Sequence, residues 1–486
     1  MIAVLESNVT SMAIRWTRLN ATILMVVNLL IFKQIVSLIP SRGSNYRLVS
    51  KNRICAMTSS SDASQLMVAK LADCNAEGIR ISGDVLKAGG LVAFPTETVY
   101  GLGANALNDL SVKSIFAAKK RPSTDPLIVH ILGKEDIYDL YDFEDTKIGI
   151  SKAQLVCEHL AESFWPGPLT IIFKARKSVP LSVTAGSGYV GLRSPKHPIA
   201  RQLLAAAGLP IAAPSANRFG HVSPTSADHV IKDLGEENVT ILKDDITLSG
   251  GCSVGIESTV CRVSKSGDVV SILRCGAVTS EDILAALLKS NTAGLDNVTV
   301  VIENEKALIK SAASNTIISN IKAESNSEHD ETAAVAPGQM IKHYAPDIPT
   351  YIVSASHRHA GRRDEDFELQ PMGDESSDVP SSSALGTHIN VKNAFIIDYN
   401  GQLKHFKEKS SIYYDLSSDG VPEKACNKIF EVLRMAEDPS LATPSGTGEG
   451  VKLVLLPDLR ADAERSEMVR ALWERLHRAA SGTFVH

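Results

Sequence analysis

The sequence predicts an α/β protein built from two successive units, a larger one over residues 62–290 and a smaller one over residues 351–486. Three observations point there. Short apolar or β-branched runs alternate with segments of helical period, as strands covered by helices require. Proline, glycine and small polar residues punctuate the boundaries between them. The same alternation then returns after a stretch in which Ser, Asn and Glu accumulate.

Leu91–Phe94 reads as a short apolar strand ended by Pro95. Val112, Ile115 and Phe116 place a helical stripe in Leu110–Lys120, and Pro122 forbids its continuation. Leu127–Leu132 is β-branched and apolar, a buried strand. Leu155–Trp165 follows as a helix, Leu169–Phe173 as a strand, Ile199–Ala207 as a helix, and Leu209–Ala213 as a strand running into Ser215. Thr279-Ser280-Glu281-Asp282 has the form of a capping box opening a helix over Ile283–Lys289. Residues 291–350 are a linker, and two prolines stiffen its segment Ala336–Pro346. His357 to Thr387, rich in charge, Ser and Pro, reads as a disordered loop. Beyond it, strands at Ala394–Asp398 and Val451–Leu456 alternate with helices at Lys424–Met435 and Ala463–Ala480.

With 486 residues the chain holds two or three domains, and its 44 % hydrophobic content supports sizeable cores. A formal net charge of −5 excludes a protein that coats nucleic acid through bulk electrostatics, though it is compatible with a local basic groove. Seven scattered cysteines without a C-x-x-C pair point to reduced structural thiols rather than disulfides or a zinc site. No metal site is expected. His357 and His359 lie in the polar loop and read as solvated.

Residues 1–61 form an extension. Its first 56 residues carry seven Lys/Arg against the single acid Glu6, which is the composition of an organellar transit peptide. The apolar run Ala21–Phe32 inside it has twelve residues, short of the roughly 20 that cross a bilayer. A signal-type segment or weak anchor is the alternative, and Met57 as a second start would make the segment dispensable. The expected location is cytoplasmic, or mitochondrial or plastid through this extension.

The chemistry concentrates in two places. Lys119 and Arg121 sit where a helix must stop, and Ser215 and Asn217 follow a buried strand about a hundred positions later. Arg offers a planar fork and Lys a point charge, a complementary pair for polyphosphate. The competing reading is a solvated helix end, where cations oppose the helix dipole. Ser215 and Asn217 lie at a strand's carboxyl end, where open α/β sheets hold ligands, or else form an ordinary turn. Thr96, Thr98 and Tyr100 also follow a strand, and Gly101 and Gly103 allow close backbone approach. Gly186–Gly191 fits G-x-G-x-x-G, but Leu192-Arg193-Ser194-Pro195 leaves no helix N-terminus for a pyrophosphate. No G-x-x-x-x-G-K-[ST] motif is present, which argues against a P-loop NTPase.

Taken together these residues resemble the threonylcarbamoyl-AMP synthase family in its two-domain form. Its K-x-R and S-x-N signature matches Lys119, Arg121, Ser215 and Asn217. PTETVYGLG (Pro95–Gly103), the RP-x-x-x-PL run through Leu127, FWPGPLT (Phe164–Thr170), SPT (Ser223–Thr225), ESTV (Glu257–Val260) and HYAP (His343–Pro346) match as well. The resemblance runs from about Asp62 to Ala480. It implies a YrdC-like twisted open mixed sheet with helices, an ordered linker, and a Rossmann-like second domain. It also implies a nucleotidyltransferase that makes threonylcarbamoyl-AMP and pyrophosphate from L-threonine, bicarbonate or CO₂, and ATP. Mg²⁺ would travel on the ATP phosphates. The product would pass to a tRNA threonylcarbamoyl transferase for N6-threonylcarbamoyl modification of adenosine 37 in ANN-decoding tRNAs. Direct tRNA binding is a further possible partnership, and no stable membrane partner is expected.

By the same resemblance, Lys119, Arg121, Ser215 and Asn217 are catalytic. Thr98, His130, Arg193, Ala213 and Ser258 would hold threonine, with Arg193 on its carboxylate. Arg121, Asp125, Ser215, Ser223, Arg274 and the linker's Tyr344 would contact ATP, Tyr344 as a lid. Two positions depart from the family's pattern: Asp125 stands where Asn is usual, and Tyr189 where Thr is usual. Two rivals remain, a double-stranded RNA or tRNA binding module, and a carbamoyl-transfer domain of the hydrogenase-maturation type. The second lacks its expected cysteine pairs here.

Overall fold

The computed structural model describes residues 68–142, 151–244, 249–290, 292, 294–303, 343–355, 367–368, 388–389, 391–438, 440 and 451–485. The expected extension over 1–61 lies outside these residues, as does most of the linker. The larger unit is an eleven-stranded mixed sheet in the order β1-β8-β2-β3-β7-β4-β6-β5-β9-β10-β11. Its strands are β1 (Lys70–Asp73), β2 (Leu91–Phe94), β3 (Gly101–Asn105), β4 (Ile128–His130), β5 (Leu169–Lys174), β6 (Tyr189–Arg193), β7 (Ile211–Ala212), β8 (Val239–Lys243), β9 (Thr259–Val263), β10 (Val269–Arg274) and β11 (Thr299–Ile302). The helices are α1 (Ala76–Lys87), α2 (Asp109–Lys119), α3 (Lys152–Phe164), α4 (Pro198–Ala207), α5 (Ala227–Leu234) and α6 (Ser280–Lys289).

The smaller unit is an all-parallel sheet in the order β16-β15-β17-β12-β18. It comprises β12 (Thr350–Val353), β15 (Ala394–Asp398), β16 (Ile412–Asp415), β17 (Leu453–Pro457) and β18 (Phe484–Val485), with helices α7 (Pro422–Met435) and α8 (Glu467–Ala479). The strand pair β13 (Phe367–Glu368) and β14 (His388–Ile389) falls at the segment expected to be a disordered loop. The rest of that loop lies outside the described residues. Among the described residues no helix is long and apolar enough to cross a membrane.

The expected helices and strands are present, with shifts of one to four residues at most boundaries, and two of these have a clear cause. The helix expected over Ala463–Ala480 begins at Glu467, because Ser466 caps it by accepting from the Val469 amide. The strand expected over Leu209–Ala213 pairs at Ile211–Ala212. The Thr279 box forms as the spacing predicts, its hydroxyl accepting from the Asp282 amide at 3.1 Å and Asp282 returning the contact at 3.0 Å. Apolar periodicity missed α1, whose contact face is small: a Cβ on Gly83 would sit 3.0 Å from the Ala206 backbone on α4. It missed β3 for the same reason, since a Cβ on Gly103 would meet Ile211 at 2.7 Å and the Phe94 ring at 2.8 Å.

The two units share one apolar core, in which Val222, Ile256 and Cys275 join Tyr344, Phe430 and Leu472. Polar contacts reinforce it. Arg434 on α7 reaches both carboxylate oxygens of Asp233 at 2.9 Å and the Val222 carbonyl. Gly255 (φ +77) lies so close to α7 that a Cβ would fall 2.4 Å from the Asn427 Cα. His221 bridges both units and the linker. Its Nδ1 faces Asp233 at 2.8 Å and its Nε2 faces Glu437 at 2.7 Å, while Glu437 also accepts the Asp347 amide at 2.7 Å.

With a carboxylate on each nitrogen, the His221 ring is held as an imidazolium. Burial opposes the charge, but the hydrogen bonds to Asp233 and Glu437 outweigh it and raise its pKa above the ordinary value. A raised folded value gives a contribution complete below about 6.5 and lost as pH climbs through the folded value. The destabilisation caused by His221→Gln, read from urea midpoints, is therefore expected to be larger at pH 6 than at pH 9. Equal differences at both pH values would show that the ring carries no structural proton.

Candidate active site

The pocket forms where strand ends of the larger sheet meet the linker. Thr96, Thr98, Gly101, Arg121, His130, Arg193, Ala213, Ser215, Glu257, Ser258, Arg274, His343 and Tyr344 are among the residues lining it. Of the expected site residues, Thr98, Arg121, His130, Arg193, Ala213, Ser215, Ser258, Arg274 and Tyr344 come together there. Lys119, Asn217, Asp125 and Ser223 are not among its described lining residues.

Lys119 and Arg121 are no solvated helix end, being 1 % and 7 % exposed. Helix α2 stops because Lys120 turns left-handed (φ +53), which swings Arg121 back beneath the helix with its amide on the Phe116 carbonyl. Lys119 is engaged within the protein. Its Nζ donates to the Ser215 carbonyl at 2.6 Å and to the Asn217 carbonyl, so it shapes the Ser-Ala-Asn turn from within. Burial, then the charge of Arg121, push its pKa well below the ordinary lysine value. The Asn217 carboxamide is likewise spent on the turn, donating to the Arg218 and His221 carbonyls at 2.7 Å.

The Asp125 side chain is buried. Its carboxylate lies 2.7 Å from Arg121, whose guanidinium also donates to the Pro126 carbonyl at 3.1 Å. The unusual acid at this position thereby pairs a buried arginine. The Ser223 hydroxyl donates to Glu257 at 2.7 Å. Tyr189, the other departure, packs beside Ile172, Val260 and Leu273. Tyr100 turns away, its hydroxyl on the Leu242 carbonyl at 3.4 Å.

Arg193 ends β6 and is locked by Glu97 at 2.6 Å, Thr98 at 2.9 Å and the Gly167 carbonyl at 3.3 Å. The second Glu97 oxygen accepts the Lys196 amide at 3.0 Å. Burial opposes the charge of Glu97, but Arg193 outweighs it and holds the carboxyl below its ordinary value. Arg274, ending β10, donates to the Ser258 carbonyl at 2.9 Å and hydroxyl at 3.0 Å. Burial drives His130 and His343 down to about 3, so both rings are neutral near pH 7. Tyr344, at φ +63, lies 5.1 Å from the Phe430 ring of α7 and is 1 % exposed.

Sequence reasoning assigned no role to Glu97, Glu257 or His343. The signal for them was present, because each lies inside a quoted motif: PTETVYGLG, ESTV and HYAP. The resulting arrangement is a buried cleft with three guanidiniums, several hydroxyls and one carboxylate among its described lining residues. It is built to hold anions by fixed charge, and it presents no Ser–His or Cys–His pair for nucleophilic attack.

A family model described as "Telomere recombination", covering Sua5, YciO and YrdC, matches residues 84–276. A second, described as "Threonylcarbamoyl-AMP synthase, C-terminal domain", matches residues 284–481. The threonylcarbamoyl-AMP synthase of Pyrococcus abyssi is 35 % identical over 289 residues, 60 % of this chain and 72 % of the relative. That of Bacillus subtilis is 37 % identical, over 56 % of this chain and 65 % of the relative. The crystal structure of P. abyssi Sua5 complexed with L-threonine superposes with a TM-score of 0.57 at 26 % identity, covering 86 % of this chain and 99 % of that one. From the paired domain models and these relatives, the chain belongs to the threonylcarbamoyl-AMP synthase family.

Proposed function

We propose that this chain is an L-threonylcarbamoyladenylate synthase, a nucleotidyltransferase joining L-threonine, bicarbonate or CO₂, and ATP. The observation that carries this reading is the convergence of Arg121, Arg193 and Arg274 on one buried cleft, in a fold shared with a relative crystallised with L-threonine. Threonine's amine adds to CO₂ and loses a proton, giving a carbamate. A carbamate oxygen then attacks the α-phosphorus, and pyrophosphate leaves with the electrons of the broken P–O bond. No protein nucleophile is required. What is required is positioning, neutralised phosphate charge and exclusion of water from a labile carbamate.

The residues divide that work. Arg193, fixed by Glu97, would receive the threonine carboxylate, with Thr98, neutral His130 and Ser258 around the amino acid. Arg121 and Arg274 would meet the phosphates, and Lys119 would hold the Ser215 turn against them. Mg²⁺ would be carried mainly by phosphate oxygens, since Glu257 already accepts from Ser223 and Arg475. Tyr344 would close over the nucleotide from the linker. The product is an activated mixed anhydride, so its consumer is a transferase that moves the threonylcarbamoyl group to N6 of adenosine 37 in tRNA.

Purified protein given ATP, radiolabelled bicarbonate and L-threonine is expected to release pyrophosphate and form a labelled adenylate, both only when threonine is present. No threonine-dependent signal from folded protein would overturn the reading. Arg121→Ala should lower synthesis at least about 10²-fold, the effect of losing one key electrostatic donor; near-normal turnover would remove that residue from the mechanism. For the lid, Tyr344→Ala should weaken ATP binding about tenfold, the scale of one lost aromatic stack, with circular dichroism unchanged. Unaltered affinity by calorimetry would refute it.

A further inference from the structure

The smaller unit contributes a side chain that backs a lining residue of the pocket. Arg475, on α8, is 1 % exposed, and its Nε donates to Glu257 at 3.2 Å while its Nη1 donates to the Cys275 carbonyl at 2.8 Å. Glu257 lines the cleft, and its other oxygen accepts from Ser223. One carboxylate is thus held between the Ser223 loop of the larger unit and a helix of the smaller one. The loop leading into Glu257 is fixed by the same unit. Asn427 donates to the Cys252 and Ser253 carbonyls at 3.1 and 2.8 Å, and Gly255 is pressed against the Asn427 backbone.

Charge explains why this contact matters for function. Glu257 lies within the electrostatic reach of both Arg475 and Arg274. Burial opposes its charge, but Arg475 first and Arg274 next hold its carboxyl below the usual range. A buried carboxylate without its partner would set an uncompensated negative charge in a cleft that must accept a triphosphate, and would draw on the field of Arg274.

We propose that Arg475 is a positioning residue for the nucleotide: by neutralising and orienting Glu257, it leaves the positive field of Arg274 for the phosphates of ATP. The nucleotide half of the pocket is therefore completed by the smaller unit. This inference rests on the cleft being an ATP site, as proposed above.

The test uses the full chain and calorimetric binding of ATP and of L-threonine, so it does not depend on turnover. Arg475→Ala is expected to weaken ATP binding about tenfold or more, the range for truncating one partner of a buried pair. Threonine affinity should stay within about threefold, and Arg475→Lys should recover most of the ATP affinity because it restores the charge. Arg475→Gln combined with Glu257→Gln removes both charges at similar volume and should bind ATP within about threefold of wild type. Unchanged ATP affinity in Arg475→Ala, or equal losses for ATP and threonine, would overturn the proposal. Should Arg475→Ala fail to fold, the double variant decides, and a tenfold loss in it also overturns the proposal. Failure of the functional reading looks different: wild-type protein would then form no threonine-dependent adenylate, whatever the ATP affinities of the variants.

Discussion

A lysine nitrogen buried against backbone carbonyls 96 and 98 residues away fixes where the halves of the site meet. Lys119 can leave water only because the Ser215 and Asn217 carbonyls replace its hydration. That contact in turn sets the turn after β7, which also bridges to Gly101 of β3. Helix α2, the Ser-Ala-Asn turn and the start of β3 are thereby placed together. Arg121 enters the cleft from this framework, one residue beyond the left-handed Lys120.

The same constraint recurs for each arginine near the cleft. Removing a guanidinium from water costs several kcal/mol unless a well-placed acceptor compensates, so each has one. Arg274 has the Ser258 carbonyl and hydroxyl, while Arg121 has Asp125, Arg193 has Glu97, Arg475 has Glu257, and Arg434 has Asp233. These pairs keep the guanidiniums oriented before any ligand arrives. Preorganised charge of this kind suits a reaction whose requirement is to hold phosphates and a carboxylate near one another without water.

Two of these pairs cross from one unit to the other. Arg434–Asp233 and Arg475–Glu257 run from helices of the smaller unit, the first to α5 and the second to the loop before β9. Together with His221 and Glu437 they make the smaller unit part of the cleft's support. Tyr344 belongs to the same seam, with its ring against Phe430 of α7 while it lines the pocket.

The sequence alone determined about half of the elements and which short strings carry chemistry. Apolar runs such as Leu169–Phe173, the Thr279 capping box and the motif strings are local, and local patterns survive in one dimension. Elements with glycine at the contact face, α1 at Gly83 and β3 at Gly101 and Gly103, are among those that escaped it. Tertiary structure decided direction. Lys119 and Arg121 are two residues apart, yet one turns into a nest of carbonyls and the other into the cleft. Asp125 meets Arg121, and Ser223 meets Glu257. Arg475 was invisible to sequence reading, since its partner lies 218 residues away on another unit. A buried charge takes its meaning from its partner, and partners so far apart along the chain are chosen only when the sheets are packed.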